Sequence, residues 1–116
     1  HDLRGTLPYM APEMITDHKH VTEAADVWSL GVVFWELLTQ QQPYADIAPA
    51  QLLGALGSGT ARLPIPEWCE PEWRAVMEGC WVEDPSQRPT CRQLALQLQR
   101  IRDTAARLHN QQQSQL

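Results

Sequence analysis

The sequence has few cysteines, no long apolar run and little positive charge. Its three cysteines, Cys69, Cys80 and Cys91, are an odd number at wide spacing, which fits neither a disulfide framework nor a paired metal site. We therefore expect a reduced, intracellular and cytoplasmic setting. Without a signal peptide or an apolar run near about twenty residues, no membrane span is predicted. Nine Lys and Arg against fourteen Asp and Glu give a net charge of -5, which argues against nucleic acid as a partner.

The chain of 116 residues has the size of one small domain, and its most informative stretch is residues 26–39. Nine of the twelve residues 27–38 are apolar, and the exceptions are Ser29, Gly31 and Glu36. On a helical wheel the apolar positions cover roughly 260° and leave a narrow polar strip. A buried strand would also suit this composition, but the run is about twice a usual strand length. We predict a central helix that is buried on most sides.

Asp26 falls on the apolar side of this wheel, near Val33 and Leu37. It is either an acid placed at the positive end of the helix dipole or a buried acceptor that collects several donors. Gly31 also points into the apolar arc, where the missing side chain allows another segment to approach closely.

The rest of the chain is predicted to form shorter helices joined by proline-containing loops, with no strand. Residues 1–10 show no hydrophobic periodicity, which predicts a loop. Residues 63–66 must be extended, because Leu63 and Ile65 each precede a proline. We expect further helices at residues 11–15, at 48–56, at 71–81, and from a Thr90–Gln93 capping box onward. The Gln-rich residues 109–116 are predicted to be a disordered tail.

Three blocks of this sequence resemble the protein kinase family. Residues 5–13, Gly-Thr-Leu-Pro-Tyr-Met-Ala-Pro-Glu, resemble the end of a kinase activation segment with its Ala-Pro-Glu signature. Residues 26–31, Asp-Val-Trp-Ser-Leu-Gly, resemble the start of the central helix of the C-lobe. Cys-Trp at 80–81, Asp-Pro at 84–85 and Arg-Pro-Thr at 88–90 resemble its last two helices. The resemblance implies an all-α fold, the lower part of a kinase-like C-lobe over residues 1–108, without the N-lobe and the catalytic loop.

The details of these blocks resemble one group within the family. The Gly5-Thr6 pair is similar to the residues at this position in Ser/Thr kinases. The Cys-Trp and Arg-Pro-Thr blocks are shared with tyrosine kinases. Together they indicate the tyrosine-kinase-like group of Ser/Thr kinases, which act in signalling. The resemblance implies a fragment that supplies the substrate-positioning loop and the scaffold of the C-lobe.

The resemblance also implies roles for individual residues. Thr6 matches the threonine that helps the catalytic aspartate orient the acceptor hydroxyl. Glu13 matches the acid that pairs with an arginine, here Arg88, and Asp26 matches the helix acid that accepts backbone N–H groups of the catalytic loop. The implied substrate-binding residues are Gly5, Thr6, Leu7, Tyr9 and Met10. The implied structural residues are Glu13, Arg88, Asp26, Trp28, Gly31 and Trp81.

Phosphoryl transfer needs parts that are missing from this sequence. There is no Gly-x-Gly-x-x-Gly, no Val-Ala-x-Lys, no His-Arg-Asp and no Asp-Phe-Gly. Asp2 follows a histidine but lies where the family has its activation loop, so we reject it as a catalytic base. We expect a piece of a longer protein that binds no cofactor alone, whereas the complete family domain uses ATP and Mg²⁺.

Two other interpretations stay open at this point. The parent could be a pseudokinase, or the chain could be an all-helical interaction module that uses its five tryptophans at an interface. The kinase interpretation predicts a protein substrate and the missing kinase segments as partners. It also predicts an exposed apolar surface where those segments would cover the central helix.

Overall fold

The computed structural model describes residues 6–17, 19 and 21–114, and this part of the chain contains helices and no strand. The all-α prediction is therefore confirmed for these residues. The α-helices are α1 Pro12–Thr16, α2 Ala24–Thr39, α3 Pro49–Gly57, α4 Pro71–Cys80 and α5 Cys91–Ser114. Two short 3₁₀ turns lie at Leu7–Tyr9 and Pro85–Gln87.

Local sequence signals explain where most of the helices begin. Helices α1, α3 and α4 each start at a proline, which suits the first helical position because the N–H there has no intrahelical acceptor. The predicted capping box of α5 is confirmed. The Gln93 N–H donates to the Thr90 hydroxyl at 3.0 Å, and the Thr90 N–H donates to the Gln93 amide oxygen at 2.9 Å.

Two segments have a secondary structure different from the one predicted. Helix α5 continues through residues 109–114, which we expected to be disordered, and all of these residues are exposed. The physical reason is local, because residues 91–114 contain neither glycine nor proline and are rich in good helix formers. The second difference lies in the expected N-terminal loop, where Leu7–Tyr9 forms a 3₁₀ turn.

The main core forms around α2, which packs mostly against α4. Val27, Trp28, Val32 and Trp35 of α2 are buried there. Helix α2 approaches the end of α4 closely at Gly31. A Cβ atom added to Gly31 would lie 2.6 Å from the Trp81 Nε1 and 2.7 Å from the Cys80 Cβ, so the predicted close approach is confirmed.

A second, smaller core lies between α3 and the segment around the first 3₁₀ turn. Leu7 from this segment is buried with Leu52 and Leu56 of α3. Met10 and Ile15 are partly buried against the same cluster. Packing against α3 therefore fixes the position of residues 7–10.

One face of α2 is exposed, as expected for an uncovered apolar surface on the central helix, and the other sides are buried or partly buried, as predicted. Leu30 and Val33 are each 38% exposed, and Leu37 is 66% exposed. Asp26 begins the same stripe and is exposed too. Of the two roles expected for Asp26, the buried acceptor is therefore not found among the described residues, because the side chain is exposed.

Candidate functional site

Arg88 and Glu13 form a buried, two-bond ion pair. The Arg88 Nη1 donates to the Glu13 Oε2 at 2.6 Å, and the Nη2 donates to the Oε1 at 2.9 Å. The Arg88 side chain is completely buried, and that of Glu13 is 13% exposed. The planar guanidinium matches the carboxylate geometry, and each bond is strengthened by charge. The predicted pairing of these two residues is thus present in the structure.

The other Arg88 donors bind backbone carbonyl groups from separate parts of the chain. The Nε donates to the Val82 oxygen at 2.8 Å, the Nη1 to the Ala24 oxygen at 3.0 Å, and the Nη2 to the Glu83 oxygen at 3.2 Å. Together with the Glu13 bonds, these contacts use all five N–H groups of the guanidinium. Arg88 therefore joins α1, the start of α2 and the loop after α4 at one point.

Trp28 provides the aromatic surface beneath this ion pair. The guanidinium carbon of Arg88 lies 5.0 Å from the centroid of the Trp28 ring, and that of Arg62 lies 5.6 Å away. Both distances suit attraction between a cation and the face of an indole ring. The buried position of Trp28 thus supports the arginine that holds the segments together.

The predicted substrate-binding residues lie in and beside the first 3₁₀ turn. Thr6 is exposed, Leu7 is buried, and Tyr9 and Met10 are partly buried. Gly5 lies outside the described residues, as does the rejected Asp2. The described loop residues thus present Thr6 to solvent while Leu7 anchors the turn in the smaller core.

Two contacts from α2 to Tyr9 were missed by the sequence reasoning. The Ser29 hydroxyl donates to the Tyr9 carbonyl oxygen at 2.6 Å. A hydrogen bond from the Tyr9 hydroxyl to the Glu36 carboxylate, together with burial, raises the pKa of Tyr9 to about 12. The available signal was the polar strip of Ser29 and Glu36 on an otherwise apolar helix.

A cavity of about 540 Å³ opens between the Leu7–Tyr9 turn, α2 and α3. Its walls include the Tyr9 ring, the Glu36 carboxylate, and Tyr44 from the loop that follows α2. Burial raises the pKa of Tyr44 to about 12. The cavity lining mixes apolar side chains with polar groups, including the carboxylate-bearing Glu36.

The tryptophans serve mainly the core. Trp28, Trp35 and Trp81 are buried, and Trp73 is partly buried against the same cluster. Trp68 is 67% exposed. This distribution does not support an interaction module built on an exposed set of tryptophans.

Membrane-spanning helices and metal-binding clusters are both absent from residues 6–17, 19 and 21–114. No helix within these ranges is long and apolar enough to cross a bilayer. No group of three or more His, Cys, Asp or Glu residues lies close enough there to hold a metal ion. All three cysteines are free, and only Cys91 is exposed.

The sequence matches a known family. A model of the family "Protein tyrosine and serine/threonine kinase" matches residues 2–98, and the chain belongs to this protein kinase family. Its helical architecture is that of part of the C-lobe, as the three sequence blocks predicted.

Curated relatives narrow the similarity to Ser/Thr kinases. The chain is 40% identical over 94 residues to Mitogen-activated protein kinase kinase kinase 12 of Rattus norvegicus, which covers 81% of this chain and 10% of that protein. It is 44% identical over 86 residues to Serine/threonine-protein kinase CTR1 of Arabidopsis thaliana, covering 74% of this chain and 10% of the relative. These matches support the prediction that the chain comes from the tyrosine-kinase-like group of Ser/Thr kinases. The chain thus spans about a tenth of the length of these relatives.

Proposed function

We propose that this chain is the lower C-lobe of a protein Ser/Thr kinase that transfers the γ-phosphate of ATP to hydroxyl groups of protein substrates. In this proposal residues 5–10 receive the substrate segment that follows the phosphorylated residue. The helices hold this loop in place. The single observation that carries the proposal is the Arg88–Glu13 pair, because two charged hydrogen bonds join Arg88 to the Ala-Pro-Glu segment. Three further bonds hold Arg88 to backbone carbonyl groups of the helical body.

The cavity beside Tyr9 supports the assignment of the loop. It borders the Leu7–Tyr9 turn and is open enough to admit an extended peptide side chain. Thr6 lies at the exposed start of the same turn, where it can meet a substrate hydroxyl. We assign these residues to substrate positioning and Thr6 to orientation of the acceptor.

The nucleotide and its metal ion have no matching residues in this chain. Kinases of this family bind ATP with Mg²⁺, using a glycine-rich loop, a lysine, and Asp and Asn ligands. None of the corresponding motifs occurs in the 116 residues. We therefore derive no catalytic step from these residues alone and expect the chain to be inactive by itself.

The exposed stripe of α2, formed by Asp26, Leu30, Val33 and Leu37, has a role in the same proposal. In the complete domain the catalytic-loop region would cover this stripe, and Asp26 would accept backbone N–H groups from it. A carboxylate beside exposed apolar groups suits that role, since several donors would offset the cost of its burial. The free cysteines agree with an intracellular location for the parent kinase.

A phosphotransfer assay tests the proposal. The 116-residue chain with Mg²⁺ and labelled ATP should give no transfer above a no-enzyme control. A longer chain that includes the nucleotide-binding and catalytic-loop segments should label Ser or Thr in a protein substrate. Transfer by the chain alone, or labelling of tyrosine only by the longer chain, would overturn the assignment.

A further inference from the structure

The carbonyl group of Tyr9 needs a hydrogen-bond donor that its own segment does not supply. The 3₁₀ turn closes when the Met10 N–H donates to the Leu7 oxygen at 3.1 Å. A continued 3₁₀ turn would satisfy the Tyr9 oxygen with the N–H three residues later. That residue is Pro12, which has no N–H. A partly buried carbonyl left without a donor is costly, so another part of the chain must provide one.

Ser29 of α2 provides that donor across the fold. Its Oγ lies 2.6 Å from the Tyr9 oxygen and 3.2 Å from the Ala25 oxygen in the preceding helical turn. A hydroxyl has one proton, so the two oxygens compete and the shorter contact dominates. A serine inside a largely apolar helix usually bonds within its own helix. Ser29 instead bonds mainly to the substrate loop.

Glu36, also on α2, interacts with the phenol of Tyr9. It lies seven positions after Ser29, about two helical turns, and therefore on the same side of α2. Glu36 and Tyr9 line the same cavity, and interaction with the Glu36 carboxylate raises the pKa of the Tyr9 phenol. The polar strip of α2 thus holds the Tyr9 backbone through Ser29, and Glu36 of the same strip faces the cavity that Tyr9 lines.

We propose that Ser29 is a positioning residue for the substrate loop, because its hydroxyl fixes the Tyr9 carbonyl and with it the backbone beside the cavity. The consequence for catalysis rests on the proposed kinase function. The hydrogen bond and its effect on the loop are independent of that function and can be tested separately.

Hydrogen exchange of the 116-residue chain tests the structural part. Ser29→Ala should speed exchange of the amides in residues 7–14 by about tenfold, since one hydrogen bond to a partly buried group is lost. Exchange in α4 should stay unchanged. Ser29→Thr keeps a hydroxyl and should restore slow exchange in the loop.

A second hydroxyl of α2 offers a matched control. The Thr39 Oγ1 donates at 2.9 Å to the Trp35 oxygen, within the helix. Thr39→Ala should therefore leave exchange in residues 7–14 unchanged. If Ser29→Ala does not alter exchange in this loop, or if it speeds exchange equally throughout the chain, the positioning role is refuted.

Kinetics of the complete kinase test the functional part. Ser29→Ala should raise KM for the protein substrate by about tenfold, with KM for ATP and kcat little changed, because only loop placement is affected. A fall in kcat with unchanged KM would refute the role in substrate positioning. A wild-type kinase without transfer activity would instead reject the proposed function, while the exchange data would still decide whether Ser29 holds the loop.

Discussion

Replacing Arg88 with alanine is the sharpest test of how the segments of this domain are joined. The substitution removes five hydrogen bonds, two to the Glu13 carboxylate and three to backbone carbonyl groups. It also leaves the Glu13 carboxylate without its cation in a largely buried position. The Arg88 side chain lies beneath packed segments, so water has limited access to the groups that lose their hydrogen bonds.

The expected loss follows from this geometry. Removing one partner of a buried ion pair costs about 3 to 5 kcal/mol, because the other charge stays buried and unpaired. A domain is stabilised by about 5 to 15 kcal/mol in total, so this loss is a large fraction of it. Arg88→Lys keeps a charge but loses the two-bond geometry, and we expect an intermediate loss.

Urea unfolding of the complete catalytic domain, followed by circular dichroism, measures these losses. Arg102→Ala is the matched control, since its ion pair with Asp103 is long, at 3.5 Å, and its side chain is 72% exposed. We expect the control to lose less than about 1 kcal/mol. If Arg88→Ala loses no more than Arg102→Ala, the claim that this pair joins the segments is refuted.

Four further predictions concern α2, its contacts and the two tyrosines with raised pKa values. Gly31→Ala should cost about 1 to 3 kcal/mol by crowding the end of α4, measured as a lower midpoint of unfolding, and an unchanged midpoint would contradict the close approach. Tyr9 and Tyr44 have pKa values of about 12 in the folded protein, against an ordinary value of 10. Their contribution to the free energy of unfolding is therefore complete below pH 10 and is lost as the pH rises from 10 to 12. In an ultraviolet titration, Glu36→Gln should return the pKa of Tyr9 toward 10, and titration unchanged from wild type would exclude the contact. Leu37→Asp should reduce binding of an apolar dye to the 116-residue chain, whereas equal binding would show that the dye binds elsewhere.

Much of the fold could be predicted because its signals are local. The Thr90–Gln93 capping box, the prolines that begin three helices and the apolar run of α2 each act within a few residues. The extent of α5 was misjudged because Gln-rich composition was given more weight than helix propensity. The Glu13–Arg88 pair was predicted only through resemblance to a family, since its partners are 75 residues apart in the chain.

The amino-acid sequence by itself determined the helices, the capping box of α5 and the polar strip on α2, because hydrogen bonding and periodicity over a few positions set these features. Tertiary structure alone decided what the strip contacts, since Ser29 meets the Tyr9 carbonyl across twenty residues of chain. It also decided that the Asp26 face of α2 is exposed, because burial depends on which distant segments pack against a helix. A helical wheel shows which residues share a side, and only the packed chain shows what covers that side.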